Sequence, residues 1–253
     1  MLGDGKGNFT LASTLTSWRG YSWLAVGDFN ADGKLDIVAA QGTTIEIYLG
    51  NGDGTFTSFK TYPFPGVSTR QYAVGDAILA ADFNGDGKLD LLTLDQYGDM
   101  YIMVGRGDGT FAYPPTLITS SPVGCGTFVQ LSDFNADGTP DIAFCTGDEI
   151  GILIGNGDGT FQPPAFYPGT SSYDFATGDF LSNGHTDIVV STDITNQFLL
   201  LSGNSNGTFQ SEEVISLPTT NVNGGVAMAV GDFNNNGLLD FVLDDDYAYI
   251  YVQ

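Results

Sequence analysis

The chain has 253 residues, 42% of them hydrophobic, enough for a substantial core in one large or two small domains. Seven Lys and Arg stand against 30 Asp and Glu, a formal charge of −23, and the scattered basic residues form no phosphate-tracking patch, which excludes a nucleic-acid partner. No apolar run approaches the ~18 residues needed to span a bilayer, so no membrane insertion is expected.

The chain opens Met1-Leu2-Gly3-Asp4-Gly5, which lacks the features of a signal peptide and starts inside a repeat. An excised domain or mature fragment is therefore expected, with any signal sequence absent from this chain. Gly3-Asp4-Gly5-Lys6-Gly7-Asn8-Phe9 is the first copy of a glycine-rich turn. It returns as Gly50-Asn51-Gly52-Asp53-Gly54-Thr55-Phe56, as Gly105 to Phe111, as Gly155 to Phe161, and more weakly as Gly203 to Phe209.

A second motif runs in phase with this turn and reads D-x-N-x-D-G-x-x-D. Its first Asp falls at 28, 82, 133, 179 and 232, a period near 50 that signals a propeller or solenoid. The first repeat shows the pattern of each unit. Strand A, Trp23 to Gly27, precedes the acidic loop, and strand B, Leu35 to Ala39, follows it. Strand C, Ile45 to Leu49, alternates apolar and polar positions, and strand D, Thr55 to Phe59, follows the glycine turn. These β-branched and aromatic segments are punctuated by Gly, Asp and Asn, and no helical periodicity of useful length appears.

Four short strands at this period match a propeller blade. The last C strand, Tyr247 to Val252, ends the chain without a D strand, and residues 9–15 supply one. The expectation is an all-β fold: a single five-bladed β-propeller over 1–253, four antiparallel strands per blade. The N-terminal strand 9–15 pairs with the C-terminal blade 226–252, leaving no exposed edge.

The acidic loops carry the chemistry. Side-chain oxygens on alternate residues, turned by a glycine, make a cage for a hard divalent cation. An EF-hand needs a bidentate Glu at position 12, where these copies have Ala39, Thr93, Phe144, Val190 and Leu243. The last carboxylate comes at position 9 instead, giving a hairpin loop with ligands at 1, 3, 5 and 9 and a backbone carbonyl at 7. The first three copies are Asp28, Asn30, Asp32, Lys34, Asp36; Asp82, Asn84, Asp86, Lys88, Asp90; and Asp133, Asn135, Asp137, Thr139, Asp141. The fourth, Asp179, Asn183, His185, Asp187, has Leu181 at position 3. The fifth is Asp232, Asn234, Asn236, Leu238, Asp240. Turn chemistry alone accounts for Asp-Asn-Gly runs but not for a strand-internal Asp in every copy. The cofactor expected is Ca²⁺, up to five ions, with loops 1 to 3 filling first, loop 5 next and loop 4 last. Five ions would lower the charge of −23 to −13.

The loop Asp-Phe-Asn-x-Asp-Gly-x-x-Asp in phase with Gly-Asn-Gly-Asp-Gly-Thr-Phe resembles the FG-GAP/VCBS repeats. These build the integrin α-subunit propeller, fungal integrin-like lectins and many bacterial secreted proteins. The resemblance covers essentially the whole chain. It implies an integrin-like or lectin-like, secreted or cell-surface module for adhesion or carbohydrate binding, with a glycan or protein as partner.

In a propeller the A–B loops and C–D turns share one face. The other face would carry Trp18, Arg19, Tyr21, Arg70, Tyr72, Tyr97 and Tyr173, aromatic and Arg residues of the kind that contact a ligand. Cys125 and Cys145 fall in one repeat and point towards that face, which leaves a disulfide open. Arg106-Gly107-Asp108 spells an adhesion tripeptide, but Gly-Asp recurs in the parallel turns and only Arg106 is new. His185 is the single histidine, and with three Arg the chain has little material for acid–base or nucleophilic work. A binding module without catalytic residues is expected; a polysaccharide-lyase-type enzyme and a scaffold domain of a larger surface protein are the alternatives.

Overall fold

A computed structural model describes residues 2–3, 5–15, 23–64, 77–95, 98–120, 128–169, 174–192, 197–216, 227–245 and 247–251. The described residues form strands, turns and bends, and contain no helix long and apolar enough to cross a membrane. The chain divides into two compact units, 1–122 with 158–160, and 123–157 with 161–253.

The first unit opens with a short hairpin of β1 (Leu2–Gly3) and β2 (Phe9–Thr10). Two four-stranded sheets follow. One runs β3 (Trp23–Gly27), β4 (Asp36–Gln41), β5 (Thr44–Gly50), β6 (Phe56–Pro63), in that order. The next runs β7 (Ala77–Ala81), β8 (Asp90–Leu94), β9 (Met100–Met103), β10 (Thr116–Thr119). The second unit holds β11 (Val129–Ser132), β12 (Asp141–Cys145), β13 (Glu149–Leu153), β14 (Ala165–Pro168) in one sheet. Another contains β15 (Phe175–Gly178), β16 (Asp187–Ser191), β17 (Gln197–Leu201), β18 (Glu213–Ser216). A last sheet has three strands among the described residues: β19 (Ala227–Gly231), β20 (Asp240–Asp245) and β21 (Tyr247–Tyr251).

Every pairing is antiparallel between chain neighbours, so each repeat is a meander. The second strands β8, β12 and β16 are buried along their whole length, as expected of largely apolar runs, and each buries the Asp that opens it. The expected strand A, Trp23 to Gly27, is β3. The D strands of the second to fourth sheets begin several residues after the turn Phe. After Phe111 and Phe161 this delay covers Pro114-Pro115 and Pro163-Pro164, which have no N–H to give to a ladder.

Of the expected strand 9–15, Phe9–Thr10 is the part that forms, and its partner is Leu2–Gly3 (Gly3↔Phe9, Leu2↔Thr10). The local reason is the turn between them, where Gly5 and Gly7 take φ of 72° and 86° and reverse the chain within a few residues.

Each unit packs its sheets through an aromatic core. In the first, Phe29, Val38, Ile47, Tyr62, Leu91 and Phe111 form one cluster. In the second, Phe134, Ile152, Tyr167, Ile188 and Phe209 form another, and Phe180, Val189, Phe198, Leu200 and Phe241 a third. Burying one such Phe contributes about 1.5–3 kcal/mol, and the edge-on pairs Phe29–Phe111 (5.7 Å) and Phe134–Phe209 (5.5 Å) add to it.

Candidate metal centre: the loops between the first two strands of each sheet

Each acidic loop closes a hairpin. Its ninth residue opens the second strand directly opposite the last residue of the first, as in Gly27↔Asp36, Ala81↔Asp90 and Ser132↔Asp141. Between them the chain makes a tight coil with two left-handed residues. Position 6 is always Gly (Gly33, Gly87, Gly138, Gly184, Gly237; φ 81–86°), which adopts this conformation without steric cost. Position 4 is left-handed too, and there the residue is Ala31, Ala136, Ser182, Asn235 or Gly85 (φ 52–72°). An Ala in this region costs about 1–2 kcal/mol, so the rest of the loop must impose it.

The imposing bonds are side chain to backbone. Asp28 accepts the Asp32 N–H on Oδ1 (3.1 Å) and the Gly33 N–H on Oδ2 (2.8 Å). Asn30 Oδ1 accepts the same Asp32 N–H (3.0 Å), so oxygens from positions 1 and 3 meet at one amide. Asp32 Oδ1 in turn accepts the Lys34 N–H (2.9 Å). The pattern repeats at Asp82, Asn84 and Asp86, at Asp133, Asn135 and Asp137, and at Asp232, Asn234 and Asn236. In the fourth loop Asp179 still holds Asn183 and Gly184, and Asn183 holds the partly buried His185, but Leu181 brings no oxygen. Lys34 and Lys88 add exposed ion pairs to Asp32 and Asp86 (3.4 and 3.2 Å).

Position 9 behaves differently. Asp36, Asp90, Asp141, Asp187 and Asp240 are fully buried. Asp36 accepts the Phe29 N–H on Oδ2 (3.0 Å) and the Gly50 N–H on Oδ1 (2.8 Å). Asp90 does the same for Phe83 and Gly105, Asp141 for Phe134 and Gly155, and Asp187 for Leu181 and Gly203. Asp240 accepts the Phe233 N–H (2.9 Å). This aspartate therefore staples its own loop to the glycine that opens the next turn. Gly50, Gly105 and Gly203 must lack a side chain, since a Cβ would fall 2.0–2.1 Å from the carbonyl oxygen of Leu35, Leu89 or Thr186.

The charges follow this division. Desolvation pushes the Asp90 and Asp141 carboxyls above the ordinary value. The two amide bonds oppose the shift, and the charges of Asp86 and Asp82, or Asp137 and Asp133, add to it. The exposed carboxyls at Asp32 and Asp137 lie below the ordinary value, held there first by the Lys34 and Thr139 amides.

The donor set at positions 1, 3 and 5 is all oxygen and suits a hard cation. The side-chain oxygens of positions 1 and 3 meet at the position-5 amide in loops 1, 2, 3 and 5. Among the described residues no three His, Cys, Asp or Glu side chains group as a metal centre. The side-chain oxygens of positions 1, 3, 5 and 9 and the carbonyl of position 7 are the groups that would hold such a cation, and each position-9 oxygen that accepts an amide N–H keeps a second lone pair.

The glycine turns are structural. Asp53 Oδ1 accepts both the N–H and the hydroxyl of Thr55 (2.9 and 2.6 Å), and Asp108 with Thr110, Asp158 with Thr160 and Asn206 with Thr208 repeat it. The Arg106-Gly107-Asp108 carboxylate is thus engaged inside its own turn. Two of the turns also dock on the preceding acidic loop, with Gly109 donating to the Phe29 carbonyl (2.8 Å) and Gly159 to that of Phe83 (2.9 Å).

Trp18, Arg19, Tyr21, Arg70, Tyr72, Tyr97 and Tyr173 lie outside the described residues, as does Cys125. Cys145 is buried at the end of β12. The residues that sequence reasoning passed over are the left-handed position 4 and the amide partners of position 9.

The FG-GAP-like repeat matches the chain four times, at residues 28–93, 82–144, 133–190 and 179–243. No curated protein sequence matches it significantly. Among solved structures, one similar chain is an Agrocybe aegerita lectin described for specific recognition of non-reducing terminal N-acetylglucosamine. It has a TM-score of 0.61 at 20% identity, over 86% of this chain and 58% of the lectin. BBS1N, solved in complex with ARL6DN, gives 0.59 at 14% identity, over 92% and 63% of the two chains. The V. cholerae biofilm matrix protein Bap1 gives 0.50 at 19% identity, over 83% and 30%. The chain thus spans less than two thirds of the length of each, and at these identities the likeness is one of fold. With a repeat match running from residue 28 to 243 and the same loop geometry in every copy, the chain belongs to the FG-GAP-like repeat family.

Proposed function

We propose that this chain is a Ca²⁺-stabilised binding module for a glycan or protein ligand, working outside the cell or at its surface without catalysis. The observation that carries the metal reading is the shared amide in loops 1, 2, 3 and 5, where oxygens of positions 1 and 3 converge within about hydrogen-bond distance. Asp28, Asn30, Asp32, Asp36 and the Lys34 carbonyl would hold the ion in the first loop, and their counterparts in the others. Bound only by the folded chain, Ca²⁺ would stabilise it by mass action. Membership in the repeat family and the likeness to a lectin and a biofilm matrix protein support the binding reading. The contact residues would be Trp18, Arg19, Tyr21, Arg70, Tyr72, Tyr97 and Tyr173. The fold completing this reading is a five-bladed ring closed by the segment 9–15.

Two measurements test it. Excess EDTA should lower the melting temperature markedly and added Ca²⁺ restore it; an unchanged melt would sink the metal reading. A glycan array, followed by a Trp18→Ala and Arg19→Ala pair, should show binding lost without loss of fold; an array blank for both variant and parent removes the glycan reading.

A further inference from the structure

Loops 1, 2 and 3 carry the same three aspartates, yet the position-5 carboxylate is held differently in the third. Asp32 gives both oxygens to one residue. Its Oδ1 accepts the Lys34 N–H (2.9 Å) and its Oδ2 meets the Lys34 ammonium (3.4 Å). Asp86 and Lys88 repeat this at 3.0 and 3.2 Å. In the third loop Asp137 Oδ1 accepts the Thr139 N–H (2.7 Å), but Oδ2 accepts the side-chain amide of Asn135 (2.7 Å), a neutral donor.

The two lysines reach their carboxylates along the glycine turn of the same sheet. A Cβ on Gly52 would fall 3.2–3.5 Å from Cδ, Cε and Cγ of Lys34, and one on Gly107 would fall 2.8–3.3 Å from the same atoms of Lys88. The bare glycine is thus a bed for the lysine stem, and the ammonium is delivered to the acidic loop across it. In the third repeat the matching glycine, Gly157, faces the short Thr139 side chain, with Oγ1 at 3.4 Å from the same Cβ position.

Charge separates the loops that their ligands leave equal. Loops 1 and 2 hold three Asp and one Lys, loop 3 three Asp and no Lys, and loops 4 and 5 two Asp each. An ammonium on Oδ2 offsets one of the three carboxylates and repels an arriving divalent cation, twice as strongly as it would a monovalent one. We propose that Lys34 and Lys88 are resident counter-cations that weaken Ca²⁺ binding at loops 1 and 2, and that loop 3, with Thr139 in their place, is the tightest Ca²⁺ site of the chain. The inference rests on the cation reading of the loops and sets an order among the first three.

Calorimetric titration of the EDTA-stripped chain with Ca²⁺ at low ionic strength should resolve one site tighter than the next two. Lys34→Met combined with Lys88→Met, which keeps both position-7 carbonyls, should tighten those two sites by roughly three- to tenfold. The gain should shrink in about 0.5 M salt, where exposed charges are screened. The corresponding pair of Arg substitutions retains the charge and should bind within about twofold of the parent. Thr139→Lys should weaken the tightest site by the same factor that the Met pair gains elsewhere. In EDTA the Met pair should melt within about 2 °C of the parent, since exposed ion pairs contribute little, so a change in affinity reports the charge and not the fold. A Met pair with the parent's affinities overturns the proposal, as does an Arg pair that tightens as much as the Met pair, or a Thr139→Lys chain whose tightest site is unchanged. A parent that binds Ca²⁺ with no lysine effect removes this proposal alone. A parent that binds no Ca²⁺ removes the cation reading and the proposal with it.

Discussion

Asp90 and Gly105, fifteen residues apart, are joined by a hydrogen bond of 2.7 Å from the Gly105 amide to Asp90 Oδ1, fully inside the sheet. The other oxygen takes the Phe83 amide at 3.1 Å. One carboxylate thus ties the start of the acidic loop, the second strand and the glycine turn together, and four other aspartates hold the same place in their repeats. Replacing Asp90 by Ala removes both acceptors and strands two buried amides. At about 1–3 kcal/mol for each buried group left unsatisfied, the loss should be about 3 kcal/mol in urea denaturation. It should already appear in EDTA, where no ion contributes, and be larger in Ca²⁺, where a ligand is lost as well. A loss seen only with Ca²⁺ present would make Asp90 a ligand and not a staple.

The glycine at the other end of that bond is as constrained as the aspartate. A Cβ on Gly105 would lie 2.0 Å from the Leu89 carbonyl oxygen, which is backbone and cannot swing away. Gly105→Ala should cost at least ~2 kcal/mol through forced backbone displacement. Gly87→Asn is the matched control: φ there is 81°, Asn tolerates the left-handed region, and the space around it is open. It should stay within about 1 kcal/mol. Equal chemical-denaturation midpoints for the two variants would contradict the packing argument.

How far the sequence carried depends on how local the physics was. Strand A of the first repeat coincides with its expected bounds because its ends are marked on both sides, by Trp23 and by the loop Asp28. Asp90 was legible as an anomaly, a carboxylate inside a strand, but its partner was not. Gly105 becomes a neighbour only once strands β8 and β9 pair, and that register is not written near Asp90. The left-handed Ala31 and Ala136 leave no compositional trace, because Ala has no preference for that region and the conformation is imposed by Asp28 and Asp133. The seven aromatic and Arg candidates for ligand contact had no repeat to support them, and they lie outside the described residues.

Asp174 gives the chain a pH dependence that can be isolated from the acidic loops. Its carboxylate is buried and accepts the Met228 and Phe175 amides (2.6 and 2.8 Å). Desolvation raises its pKa above the ordinary carboxylate value of 3.8, against the pull of those two bonds. The folded state therefore holds a proton that the unfolded chain has released, and between 3.8 and the raised folded value stability falls as pH rises. Asp174→Asn is neutral throughout and lacks this decline. Urea midpoints taken in EDTA from pH 3.5 upwards should show the variant gaining on the parent as pH passes through that window, then holding a constant difference. A variant that loses ground over the same range would mean the amide bonds outweigh burial.

The fourth loop offers a direct test of the metal reading, because it alone lacks an oxygen side chain at position 3. Asp179 holds Asn183 and Gly184 as Asp28 holds Asp32 and Gly33, so the coil is already formed. What it lacks is the oxygen of position 3, where Leu181 stands about half exposed. Titration of the EDTA-stripped chain with Ca²⁺ should show three sites filling first, a weaker one at the fifth loop and the weakest at the fourth, since ligand number and charge tune affinity by orders of magnitude. Leu181→Asn should tighten only the last, by roughly tenfold, the equivalent of about 1.4 kcal/mol, and the melting temperature in saturating Ca²⁺ should rise while that in EDTA does not. Asp28→Ala should remove one of the first three sites and leave the fourth-loop gain intact. If Leu181→Asn changes neither the calorimetric titration nor the Ca²⁺-dependent melt, the oxygens of position 3 are turn residues only and the loops are not cation sites.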